Sequence, residues 1–153
     1  MIYPIYVLLY FFLAPCNAPY ENLDVSGHWE GTGTRDAGSG KRTVYDIELD
    51  VMQKGKTIKG ISYIHIDVDN KKYHAKMEIE GKISGTYVKY TEMKLLAADS
   101  IPNASWCIKK VELIHRLQEA KPTLDGIWEG YTNDKKAECV PGRVFLQKKA
   151  PRA

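Results

Sequence analysis

The stretch "TVYDIELDVM", Thr43–Met52, restricts the possible folds more than any other part of the chain. Its alternation sends Tyr45, Ile47, Leu49 and Val51 to one face and Asp46, Glu48 and Asp50 to the other. That is the period of an antiparallel strand with one dry face and one wet face. "YHAKMEIEGKI" repeats the device, with Tyr73, Ala75, Met77, Ile79 and Ile83 inward and His74, Lys76, Glu78 and Glu80 outward. Between them "TIKGISYIHID" is rich in β-branched and aromatic residues, and "QKGK", "VDNKK" and Ser84-Gly85 supply turns. "TYVKYTE" gives a fifth strand, with Val88 and Tyr90 inward, followed by a looser stretch from Met93 to Ala104. "SWCIKKVELIHRL", "TLDGIWEGY" and "GRVFLQKK", the last behind the Pro141-Gly142 turn, complete the series. "KKVELIHRLQEAK" carries a short helical apolar stripe, but Trp106, Ile108, Val111 and Ile114 favour a strand there. With Ser26–Thr34 placed first, the reading is all-β: an eight-stranded antiparallel up-and-down barrel, whose closure removes the exposed sheet edges.

The first and seventh strands share a motif. "SGHWEGTG" and "DGIWEGYT" each place glycine two residues before and two after a tryptophan, so one face reads Gly27, Trp29, Gly31 and the other copy reads Gly126, Trp128, Gly130. Glycine on the inner face lets a strand bend at a barrel corner, and the large ring fills the space beneath.

The first eighteen residues contain no charged side chain, and the apolar run Ile5–Leu13 is too short to cross a bilayer. Residues 1–18 read as an export signal, with cleavage after Ala18 or, alternatively, lipidation of Cys16 in a lipobox-like "LAPC". A leader (19–25), one barrel domain (26–149) and a tail (150–153) follow. In an exported chain the remaining cysteines, Cys107 and Cys139, are expected to be joined. Localisation is then periplasmic, outer-membrane-anchored or extracellular. Lys and Arg exceed Asp and Glu by only three (22 against 19), with the signs interspersed, which argues against nucleic acid as a partner.

Gly27-His28-Trp29 resembles the Gly-x-Trp of the first strand in lipocalin and avidin (calycin) barrels. That resemblance implies an arginine from the last strand region across the tryptophan, with Arg143 and Arg152 as the candidates. "SGHWEG", "QKGKTIKGISY", "WCIKKVEL", "LDGIWEG" and "CVPGRVFLQK" together are similar to uncharacterised exported lipocalin-like proteins of Bacteroidota. This likeness implies a barrel and export, and no established activity.

Several chemistries fit poorly. The glycine-rich "GTRDAGSGKRT" has Arg35 where a phosphate loop needs its first glycine and Arg42 where it needs Ser or Thr, so it reads as a hairpin loop. The four histidines show no ligand spacing along the chain. "DVDN" lacks the glycine and glutamate of a calcium loop, which leaves Asp67, Asp69 and Asn70 to form a turn, and no metal site is assigned. Ala37 and Lys41 flank Ser39 where a nucleophile elbow needs glycines, and no catalytic residue is assigned. Gly27, Trp29, Gly31 and Gly33 also match the opening of nitrobindin-like haem barrels, for which His115 is the one candidate inward ligand.

The expectation is therefore a non-enzymatic, cofactor-free, monomeric barrel binding a small apolar molecule or an envelope protein. Trp29, Tyr45, Tyr73, Met77, Val88, Tyr90 and Trp128 would line its interior. The competing reading is a filled barrel that serves as a structural or protein-interaction module.

Overall fold

A computed structural model of the chain describes residues 23–36 and 42–151. The signal and lipidation expectations, Arg152, and the Ala37–Lys41 part of the first hairpin loop lie outside these residues. The strands are β1 (Gly27–Asp36), β2 (Arg42–Lys54), β3 (Thr57–Val68), β4 (Lys71–Ser84), β5 (Tyr87–Ala98), β6 (Cys107–Gln118), β7 (Lys121–Thr132) and β8 (Gly142–Lys148). Each pairs antiparallel with its neighbour in sequence and β8 returns to β1, giving a closed up-and-down barrel. The β3–β4 reversal places Asp69 and Asn70 both at positive φ, the conformation a two-residue primed turn demands.

The twin motif sits where it was expected. Trp29 and Trp128 are both buried, and Gly31, Gly126 and Gly130 mark close backbone approaches, whereas Gly27 is exposed at positive φ. A Cβ at Gly31 would collide with the Phe145 carbonyl on β8, and one at Gly126 with the Glu112 carbonyl on β6. Gly33 serves another purpose, because a Cβ there would run into the Tyr45 ring and its absence makes the seat for that side chain.

One end of the barrel is packed shut. Trp29 donates its indole N–H to the Val25 carbonyl (2.9 Å), and Val25 is itself only 1% exposed, so the end of the leader serves as a plug. Gln53 fixes the plug by accepting the Val25 N–H and donating to the Leu23 carbonyl, both at 2.8 Å. Among the described residues no arginine crosses the Trp29 ring. Arg143 instead pairs outward with Asp125 at 3.2 Å, and the cation over Trp29 is Lys148, 5.7 Å from its centroid.

The other end is built differently. The fifth strand does not stop near Glu92 but runs to Ala98, through two register shifts against β4, at Lys76/Met77 and Glu78/Ile79. Such irregularities bend and twist a strand. Pairing of β5 with β6 covers only Tyr87–Thr91 against Lys110–Ile114, and beyond that the two strands separate. The 99–106 connection lies over the separation. It is held by the Trp106 indole N–H on the Asp99 carbonyl and by the Asn133 N–H on the Trp106 carbonyl, each at 2.8 Å.

Cys107 and Cys139 are bonded, with their Cα atoms 6.3 Å apart, tying the start of β6 to the segment before β8 at this same end. The closed loop spans 32 positions. Chain-entropy reasoning puts the stabilisation at about 3–4 kcal/mol. Cys139→Ser is expected to lower the denaturant midpoint accordingly, and reductant should remove the difference between variant and parent.

Candidate functional site

All seven interior residues expected from the sequence are buried, none more than 6% exposed. The barrel does not use them alike. Trp29 and Val88 belong to the packed core together with Met77, which is 0% exposed; Tyr73 is buried with the Lys71 ammonium 5.4 Å from its ring. Tyr45 and Trp128 instead wall a cavity of about 230 Å³ at the split end, with Ile64, Ile66, Trp106, Cys107 and Lys109. This is slightly smaller than the roughly 300–1,000 Å³ of typical small-molecule sites, and its lining is chiefly apolar.

Beneath the cavity lies a polar cluster that the sequence reading missed. Glu92 is 1% exposed and Lys109 4% exposed, with Lys109 Nζ 3.4 Å from Glu92 Oε2. The same carboxylate oxygen accepts the Lys109 backbone N–H at 2.8 Å, while the Ser62 hydroxyl donates to Oε1 at 3.2 Å. Glu92 therefore satisfies a strand N–H where β5 and β6 part, and a side chain replaces a ladder bond. The ammonium also donates to the Cys107 carbonyl (3.3 Å) and stands 5.5 Å from the Trp128 ring and 5.7 Å from the Tyr45 ring. The signal for both residues was their parity: Glu92 follows Val88 and Tyr90 on the inner face, and Lys109 precedes Val111 and Leu113. Their charge argued against that placement, because unpaired charges are rarely buried.

Two phenols complete the cluster. Tyr45 Oη and Tyr90 Oη are buried and have no hydrogen-bond partner among the described residues. Desolvation, reinforced by the Glu92 charge, raises the ionisation of both well above the ordinary tyrosine range, so both remain neutral donors. A buried hydroxyl without a partner costs on the order of 1–3 kcal/mol.

His115 lies away from this cavity. Its ring meets Trp29 edge-on at 6.4 Å between centroids, and among the described residues no histidine lines the cavity. The space and its lining do not suit a haem. Burial, assisted by Lys148, lowers the His115 pKa below its ordinary 6.5. Folding thus favours the neutral ring, and the stability it contributes is present above about pH 6.5 and declines as pH falls through that value. Compared with the parent, His115→Gln is expected to lose less stability between pH 7.5 and pH 5, as read from paired denaturant midpoints.

The chain matches no protein-family model and no curated protein.

Proposed function

We propose that the protein is an exported, non-enzymatic barrel of lipocalin-like type that holds one small, mainly apolar molecule in the cavity at its split end. The observation that carries this reading is the cavity itself, with an apolar wall of Ile64, Ile66, Trp106 and Trp128 and the Lys109 side chain among its lining residues. Apolar contact supplies most of the affinity in such sites, and a few placed polar groups fix orientation. The ligand would be mainly apolar, matching that wall. Its size is limited by the volume of about 230 Å³. The disulfide is consistent with an oxidising, exported compartment.

Thermal unfolding against a panel of small aromatic and aliphatic alcohols, ketones and acids tests the reading. A ligand present at 100 times its Kd stabilises the fold by about 2.7 kcal/mol and raises Tm measurably. Ala104→Phe, at the cavity lining, should reduce the response. A panel that leaves Tm unchanged, with Ala104→Phe behaving like the parent, would instead favour the filled-barrel interaction module. The packed positions of Trp29, Met77 and Val88 support that second reading.

A further inference from the structure

On the outer face of the barrel, the sheet brings together side chains that the sequence keeps far apart. Along β1 and β2, Glu30 stands directly opposite Glu48 and His28 opposite Asp50; His65 on β3 stands opposite His74 on β4. Two carboxylates facing each other across a ladder are unfavourable unless a cation lies between them. The imidazole of His28 is directed into this position. Its Nδ1 is 2.7 Å from Asp50 Oδ1, which leaves Nε2 at 3.0 Å from Glu30 Oε1 and 3.6 Å from Glu48 Oε2.

We propose that His28 Nε2, Glu30 Oε1 and Glu48 Oε2 form a binding site for a divalent transition ion of the zinc class, with water in the fourth position. Three ligand atoms, one from each residue, lie within 4.8 Å of one another. A tetrahedral ion with bonds of about 2.0–2.1 Å separates its ligand atoms by roughly 3.3 Å, close to the two separations from His28 Nε2. A mixed imidazole and carboxylate set suits zinc-class ions, where calcium and magnesium take oxygen alone.

The surrounding contacts match what metal-bound histidines and carboxylates require. Asp50 on Nδ1 fixes the His28 tautomer and ring orientation, the carboxylate–histidine–metal relay that raises ligand basicity. His65 Nε2 lies 3.4 Å from Glu48 Oε1, the oxygen not assigned to the ion, and His65 is in turn oriented by His74 through an Nδ1 contact of 2.6 Å. Lys149 holds the remaining oxygen of Glu30 at 3.3 Å. The site is half-buried, with the His28 side chain 19% and the Glu48 side chain 34% exposed, so an ion can enter from solvent. It is separate from the cavity, which lies inside the barrel, and its occupancy is independent of the function proposed above.

Calorimetric titration of the untagged, disulfide-bonded chain with Zn2+ at pH 7.5 tests the site. Binding of a single ion is expected, and Co2+ in its place should give the visible bands of a tetrahedral centre. His28→Gln and Glu48→Gln should abolish binding, while Asp50→Asn should weaken it by about 10- to 100-fold with the same stoichiometry. Circular dichroism of each variant checks that the barrel is retained. No binding by the parent, or full binding by His28→Gln, overturns the proposal. Loss in His65→Gln with retention in His28→Gln would move the ion to the His65–His74 pair and equally overturn it.

Discussion

Replacing Glu92 with alanine is expected to destabilise the barrel by about 3–5 kcal/mol, a large share of the stability of a domain this size. The carboxylate is buried between Ser62 and Lys109, and its removal strands both the Lys109 N–H and the Lys109 ammonium in the interior. Lys109→Met should have a comparable effect for the opposite reason, since it leaves the carboxylate without its cation. The pair Glu92→Gln with Lys109→Met leaves no buried charge and keeps an acceptor for the strand N–H. It should therefore lose much less than the sum of the single changes, because partners in contact couple strongly. Denaturant unfolding of the parent, Glu92→Gln, Lys109→Met and the double variant closes the cycle and measures the coupling. Additive losses would mean that Glu92 and Lys109 act separately, and that the split between β5 and β6 is held by the loop alone.

The paired tryptophans are expected to produce effects of the same size. Trp29→Ala and Trp128→Ala each remove a buried ring and a buried indole hydrogen bond, from Trp29 to Val25 and from Trp128 to the Thr34 carbonyl at 2.9 Å. A cost of about 3–5 kcal/mol follows for each. His28→Ala and Glu30→Ala, on the wet face of the same strand, should leave the midpoint close to the parent's. The two tryptophan variants should differ in a second respect. Trp29→Ala opens the plugged end, whereas Trp128→Ala enlarges the cavity at the other end and removes a ring from the Lys109 ammonium.

The strand number was legible in the sequence because turn residues separate the segments, closure because it removes exposed edges, and the inner face because it rests on period two. Tyr45, Tyr73, Met77, Val88 and Tyr90 are inward for that reason alone, and the disulfide followed from having two cysteines once Cys16 was assigned to processing. The split between β5 and β6 was not legible. Met93–Ala98 lacks clean alternation, since Met93 and Leu96 are exposed, and its pairing depends on two shifts against β4 that no local pattern encodes. Glu92 and Lys109 escaped notice because a charge normally marks the wet face, and only the other partner makes burial tolerable. The histidine and carboxylate group on the outer face was hidden in another way. His28, Glu48 and His65 have no ligand spacing along the chain, and the registers of three separate strands bring them together.

Whether the cavity beside Tyr45, Lys109 and Trp128 is a ligand site is decided by native mass spectrometry of the protein purified without denaturation from its own source. A fraction of the molecules is expected to carry one small organic adduct, released on mild collisional activation and absent from Ala104→Phe, which places a larger side chain at the cavity lining. A parent protein that shows only the mass of its bare, disulfide-bonded chain, under conditions that preserve barrel–ligand complexes in general, would refute the assignment.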